Sequence, residues 1–422
     1  MTSRQDFEQL DASDPLASLR DLFDLPEGLI YLDGNSLGAM PRTTAARMQR
    51  VIQSEWGRDL IQSWNKAGWM DLPRRVGDKI ARLVGVGPGE VVVADSTSVN
   101  LFKVLSAAMR IVKEDQPHRR VILSETTNFP SDLYIAESLA QVHGFRLELA
   151  EAGAIPARLT DQVAVLLLTQ VNYRTGRLHH MAALTRAAHR AGTLAIWDLA
   201  HSTGALPVNL MGDGSSEEAA DFAVGCGYKF LNGGPGAPAF VWCHPRHVER
   251  SWQPLSGWLG HSAPFEFTPG YRPAPGIGRY LCGTPPVLSL AALECGVDSL
   301  LAAEPMGGLE ALREKSIALS ESFIHLAEER CAGFGLSLVT PRESGQRGSQ
   351  VSFAHAHGYP IMQALIARRV IGDFRAPDLL RFGITPIYTR YVDVWDAVEQ
   401  LRAVLDGEEW RDARFNARGI VT

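Results

Sequence analysis

Gly225-Cys226-Gly227-Tyr228-Lys229-Phe230, running on into Leu231-Asn232-Gly233-Gly234-Pro235-Gly236, decides the reading of this 422-residue chain. A lysine stands there between the apolar run Phe222-Ala223-Val224 and a glycine-rich loop, a poor place for a solvated surface charge. Lysines so placed are candidates for a depressed pKa and Schiff-base chemistry, although a snorkelling lysine reads the same in isolation. Working outward, short apolar runs recur at 91–93, 121–123, 163–169, 194–197 and 239–242. Between them the spacing predicts helices over 97–109, from Ser131 onward and over 181–191. Strands alternating with helices at this spacing predict an α/β fold with a mainly parallel sheet covered on both faces. Ligands of such sheets sit at the carboxyl ends of the strands.

Length and composition bound the rest. With 45% hydrophobic and 21% charged residues the chain is an ordinary globular one, and 422 residues suit a large domain with a smaller companion. A net charge of −6 offers no general footprint for nucleic acid. No apolar run approaches the ~20 residues that span a bilayer, and the N-terminal MTSRQDFEQLDASD lacks the core of a signal peptide. Five cysteines (226, 243, 282, 295 and 331) make an odd set without a close pair, which suits a reducing cytoplasm. The expectation is therefore a cytoplasmic protein without nucleic-acid or membrane partners.

Helical periodicity is expected over 43–60 and 73–83, after a turn-rich patch at Asp33-Gly34-Asn35-Ser36-Leu37-Gly38. Residues 254–286 are dense in glycine, proline and aromatics, too long for a simple connector. Beyond them come a long helix over 307–331, strands at 350–353 and 379–382, and a helix over 392–405. The division expected is an N-terminal arm, 1–40, packing on a small C-terminal α/β domain, 287–422, with a large domain at 41–286.

Three strand ends carry chemistry. Thr97 and Ser98 open a helix, where free backbone N–H groups and the helix dipole favour an anion, though a plain N-cap fits them equally. Asp198 ends an apolar strand, a costly place for a carboxylate unless something cationic or donating meets it, and His201 follows; a satisfied structural pair is the plainer alternative. Lys229 is the third. A phosphate cradle, a carboxylate and an amine at one sheet edge are the three groups that pyridoxal phosphate needs for its phosphate, its ring nitrogen and its aldehyde. Phe129, in the loop after the second strand, offers an aromatic face for the ring.

Seven segments resemble the kynureninase family: 31–42 (YLDGNSLGAMPR), 95–103 (DSTSVNLFK), 128–134 (NFPSDLY), 197–201 (WDLAH), 225–236 (GCGYKFLNGGPG), 256–261 (SGWLGH) and 279–286 (RYLCGTPP). They occur in the family's order and cover nearly the whole chain. The resemblance implies the fold-type-I, aspartate-aminotransferase-like architecture of pyridoxal-phosphate enzymes and a homodimer with a shared active site. The reaction implied is hydrolytic Cβ–Cγ cleavage of L-kynurenine, an amino-acid substrate of tryptophan catabolism and NAD biosynthesis, to anthranilate and L-alanine. 3-Hydroxykynurenine, giving 3-hydroxyanthranilate, is the second candidate substrate.

By the same resemblance Lys229 bonds the cofactor's aldehyde and removes the Cα proton, and Asp198 holds the ring nitrogen. Thr97 and Ser98 take the phosphate, and the segment Phe129, Pro130, Ser131 and Asp132 lies along the cofactor with Phe129 stacked on it. Thr169 and His201 stand beside the ring, and Tyr228 contacts the phosphate and is the candidate proton donor. Trp258 and Thr284 complete the phosphate site of a second subunit; the family often has Asn where Thr284 stands, and a hydroxyl can still donate. Arg381 clamps the substrate carboxylate, a bidentate task suited to a guanidinium, although an arginine just inside a strand is also a plain edge residue. His261, with Trp258 and Tyr280, is expected to shape the aryl pocket, which aromatic packing would explain as well.

The nearest rival is another enzyme of the same fold, a cysteine desulfurase or a class V aminotransferase. Those tend to carry His before the lysine, where Tyr228 stands, and a desulfurase needs an exposed loop thiol that Cys331 does not offer. A metal- or ligand-binding protein built on His179, His180, His189 and His201 is the rival of another class. His179 and His180 point to opposite sides of any regular element and have no carboxylate at ligand spacing, so no metal is expected.

Overall fold

The computed structural model describes residues 3–417 and 419; the outermost ends of the expected arm and C-terminal domain lie outside the described residues. The helix Arg4–Ser13 opens them, capped by Ser3, and seats Phe7 against Trp395 with ring centroids 5.4 Å apart. Asp11 accepts from the amides of Tyr391 and Val392 at 2.7 and 3.0 Å, so the arm caps the start of the helix Tyr391–Asp406. A two-residue strand, β1 (Ile30–Tyr31), then prepares a second attachment described below.

Apolar runs build the central sheet: β2 (Val91–Val93), β3 (Val121–Glu125), β4 (Arg146–Ala150), β5 (Val163–Thr169), β6 (Leu194–Asp198), β7 (Phe222–Gly225) and β8 (Phe240–Cys243). Their order is β2-β8-β7-β6-β5-β3-β4; β8 alone runs antiparallel to its neighbours, so the carboxyl ends of the other six share one edge. Alternation puts Leu166, Leu168, Trp197 and Trp242 on one face, under the helices Leu72–Leu83, Met181–Arg190 and Val287–Leu301. Val165, Leu167, Ile196 and Val241 face the other way, under Thr97–Asp115 and Pro130–His143. Burial on both faces is why these strands read as continuous apolar runs.

The second sheet is antiparallel. β9 (Ser337–Leu338), β10 (Gln350–Ala354), β12 (Asp373–Arg375) and β13 (Leu379–Gly383) align in the order β12-β13-β10-β9, and β11 (Val370–Ile371) pairs in parallel with β1. The helices Gly308–Arg330, Gly358–Ala367 and Tyr391–Asp406 cover it with a cluster that includes Phe323, Phe353 and Phe382.

Two features differ from the sequence expectation. The helix expected over 43–60 holds α geometry only over Arg42–Arg50 and widens into a π turn over Val51–Trp56. That wider turn accompanies the burial of Glu55, where Arg47 and the Trp69 indole donate to it at 2.6 and 2.9 Å. The strand β4 carries Arg146 and Glu148 because it is the sheet edge, and those charges hid it from a search for apolar runs. The helix Val287–Leu301 follows the long loop and buries Leu290, Leu293 and Val297 in the cluster of the large sheet.

Candidate active site

The shared carboxyl edge gathers the three strand ends. Thr169 and Asp198 are register partners at the ends of β5 and β6, and β7 delivers Lys229 four residues past Gly225. Ser96, Thr97 and Ser98, at the start of the helix that follows β2, line one cleft of about 200 Å³ with Phe129, Ser131, Asp132, Thr169, Tyr173, Asp198, Ala200, His201, Tyr228 and Lys229. Pro130 sets the first turn of the helix behind Phe129.

Lys229 Nζ lies 2.9 Å from His201 Nε2 and 5.8 Å from the centroid of the Phe129 ring. Burial, reinforced by the charge of Lys229, holds the His201 imidazole neutral, well below its ordinary value. Nε2 then accepts from the ammonium, which places the ring proton on Nδ1; that buried nitrogen finds no partner among the described residues.

Asp198 is buried, and its Oδ1 accepts from the Ala200 amide at 2.8 Å. Burial raises its pKa above the usual carboxylate range, against the charge of Lys229. Asp132 is buried beside it and is raised further, first by burial and then by the Asp198 charge. Thr169 Oγ1 stands 3.3 Å from Asp132 Oδ2 and 3.5 Å from Asp198 Oδ2, and also bonds Asn128 Oδ1. Two adjoining buried carboxylates resist ionising together, and the rise is the greater at Asp132. Burial keeps the Tyr228 phenol protonated, well above its usual range.

Arg381 is buried behind Tyr173 rather than lining the cleft. Its Nε donates to Asp373 Oδ1 at 2.7 Å, its Nη1 to the Tyr173 carbonyl at 2.6 Å, and its Nη2 to Ser36 Oγ at 2.8 Å. Burial alone would raise Asp373, but Arg381 and Arg375 outweigh it and hold the carboxylate below its ordinary value.

Trp258, His261 and Thr284 are not brought to this cleft within the one chain. Trp258 and His261 line a separate cleft of about 320 Å³ with Phe267 and Tyr271, and Thr284 is exposed. Both His261 nitrogens serve its own loop: Nε2 meets the Gly270 carbonyl at 3.1 Å and Nδ1 accepts from the Ala263 amide at 2.9 Å. Four residues that sequence reasoning passed over prove central. Asn128 accepts from the Phe129 amide and bonds Thr169; Tyr173 meets Phe129 edge-on at 5.1 Å; Asp373 grips Arg381; and Lys103 lies buried under the helix start. Asn128 and Lys103 sit inside the quoted motifs, whereas Tyr173 arrives on the turn after β5 and Asp373 on the short strand β12 beside Arg381, which the sequence reading did not predict.

Over 100% of both chains, the protein is 55% identical to a kynureninase of Burkholderia pseudomallei (strain 1106a) and 54% to one of Pseudomonas fluorescens. This chain belongs to the kynureninase family. A family model described as the kynureninase C-terminal domain matches residues 312–401. Among solved structures it is similar to an apo cysteine desulfurase of Thermococcus onnurineus NA1, with TM-score 0.76 and 18% identity over 92% of this chain and 98% of that one. A structure titled C-DES mutant K223A, with glycine covalently linked to the PLP cofactor, gives 0.76 and 16% over 95% and 99%. At such identity these likenesses establish the fold-type-I architecture alone. The desulfurase reading fares worse than kynureninase on sequence, and Cys331, buried with its thiol pushed up to about 12 by burial, is no exposed nucleophile.

Proposed function

We propose that this cleft hydrolyses L-kynurenine to anthranilate and L-alanine with pyridoxal 5′-phosphate as cofactor. The observation that carries the reading is the meeting of Lys229, Asp198 and the helix start Thr97–Ser98 in one cleft of a chain 55% identical to kynureninases. The residues fit the cofactor. Asp198 is a buried carboxylate that accepts from the Ala200 amide and from the Thr169 hydroxyl, and its charge calls for a cation such as a protonated ring nitrogen. His201, in the same cleft, keeps Nδ1 as a buried nitrogen without a partner among the described residues.

Thr97 and Ser98 would hold the phosphate through hydroxyls and first-turn amides, joined by Tyr228. Phe129 would cover one ring face, with Pro130, Ser131 and Asp132 alongside and Thr169 and His201 at its margin. When bound, the cofactor supplies an electron sink for charge developing on the substrate's Cα and Cβ. Lys229 Nζ would move the Cα proton, and neutral His201, 2.9 Å away, would accept the hydrogen bond of the resulting ammonium. The Tyr228 phenol stays protonated and is the proposed donor to Cβ. Arg381, its fork held by Asp373 and Ser36 behind Tyr173, remains the proposed partner of the substrate carboxylate and would have to reach it past Tyr173.

The exposed Thr284 and the separate Trp258–His261 cleft support a homodimer in which these residues complete the cofactor and aryl sites of a second copy. A large domain over 41–286, a small domain over 287–422 and an arm over 1–40 remain the proposed division; the attachment of the arm to the helix Tyr391–Asp406 supports its last part. Five free cysteines favour a cytoplasmic home, and no described helix is long and apolar enough to cross a membrane. The proposed pathways are tryptophan catabolism and NAD biosynthesis, and 3-hydroxykynurenine is the second substrate to compare.

Incubating the purified protein with L-kynurenine, 3-hydroxykynurenine and L-cysteine tests this directly. Anthranilate from the first supports the proposal; sulfide from cysteine without anthranilate overturns it in favour of a desulfurase.

A further inference from the structure

We infer that Lys103 is a positioning residue for the cofactor phosphate: it ties Asp95 to the Tyr280 carbonyl and so aims the helix start Thr97–Ser98 into the cleft. The inference rests on the phosphate reading above. Lys103 is fully buried; its Nζ donates to Asp95 Oδ2 and, at 2.7 Å, to the carbonyl of Tyr280. A helical side chain leans toward the N terminus of its helix, so the Lys103 stem runs back about two turns to the residue before the N-cap.

The backbone it reaches is an unusual one. Asp95 has φ +47°, in the left-handed region that an L-residue keeps only where its surroundings hold it. Its carbonyl accepts from the Ala239 amide at 2.8 Å, and the Asn100 side chain donates to the Ala94 carbonyl at 2.7 Å. Within Asp95 and Ser96 the chain therefore turns from β2 into the helix, and the first-turn amides and hydroxyls come to line the cleft. Tyr280, the other oxygen held by the ammonium, lies four residues before Thr284. One buried cation thus joins this chain's phosphate cradle to the segment proposed to serve a second copy.

Stability alone does not account for an ammonium there. Lys103 is withdrawn from water while its partner Asp95 stays exposed, so the pair carries a desolvation cost that an apolar side chain of similar volume would not, and the start of a helix disfavours a cation. What an ammonium adds is the fixing of several oxygens at set places by its three donors.

The test is to titrate the cofactor-free protein with pyridoxal phosphate and with pyridoxal, which lacks the phosphate, following the absorbance of the lysine adduct. Lys103→Met is expected to weaken pyridoxal phosphate binding tenfold or more and to leave pyridoxal binding within twofold of wild type. Should that variant not fold, the pair Lys103→Met with Asp95→Asn leaves no lone charge and carries the same comparison. A change below fivefold for pyridoxal phosphate, or a parallel loss for pyridoxal, overturns the assignment of Lys103. A wild-type protein that binds both compounds equally would instead overturn the phosphate cradle itself.

Discussion

Replacing Asp198 by Asn should lower activity while leaving the cofactor-free protein at least as stable. The exchange keeps the shape and the acceptor for the Ala200 amide, which donates at 2.8 Å, and removes only the charge. At roughly 3 Å and an effective dielectric near 20, a cation beside that charge gains about 5.5 kcal/mol. Removing one partner of a buried pair costs about 3–5 kcal/mol. At about 1.4 kcal/mol per tenfold in rate, kcat should fall roughly 10²- to 10⁴-fold. Stability moves the other way. Burial raises the folded-state pKa of Asp198, so its ionisation opposes folding, and that opposition grows as pH rises from the ordinary carboxylate range up to the raised value. The neutral amide escapes it. Anthranilate fluorescence gives kcat, and calorimetry of the cofactor-free protein at pH 6 and pH 8 gives the melting temperature. Retention of more than a tenth of kcat, or a melting temperature several degrees lower at pH 8, would refute the reasoning.

Two further outcomes follow from buried charges. Arg381→Lys loses the fork that Asp373 and Ser36 hold, so KM for kynurenine should rise tenfold or more with a smaller change in kcat, read from steady-state kinetics. Asp221 is fully buried and accepts from His189 at 2.8 Å, His247 at 2.7 Å and the Ala195 amide at 2.7 Å. Burial would raise it, but His189, His247 and Arg246 outweigh that and hold it far below its ordinary value. Its contribution is therefore present above the ordinary carboxylate pKa near 4 and is lost as pH falls below it. Asp221→Asn should cost about 3–5 kcal/mol at pH 7 and flatten the acid limb of the stability curve.

Much of the site was legible in the sequence because the chemistry sits at strand ends, where apolar periodicity stops abruptly. Asp198 and Lys229 each break such a run, and both occupy the predicted edge. What stayed hidden has physical causes. β4 is an edge strand, so Arg146 and Glu148 diluted its apolar signal. The π turn at Val51–Trp56 accompanies the burial of Glu55 among Arg47 and Trp69, a tertiary event that local periodicity does not encode. Tyr173 meets Arg381 across about 200 residues of chain, and pairing at that range leaves no mark on spacing, whereas Asp373 meets it as its register partner on the neighbouring strand β12. Lys103 lies inside a helix where a lysine raises no question from sequence, and only its full burial sets it apart.

The central claim is that Lys229 carries the chemistry of kynurenine cleavage. Its most direct measurement is the release of anthranilate and alanine from L-kynurenine by the wild-type protein and by Lys229→Ala, at matched pyridoxal phosphate saturation. Equimolar products from wild type and a loss of at least 10³-fold in the variant are the predicted result. Full turnover by Lys229→Ala, or a wild type that leaves kynurenine intact, would contradict it.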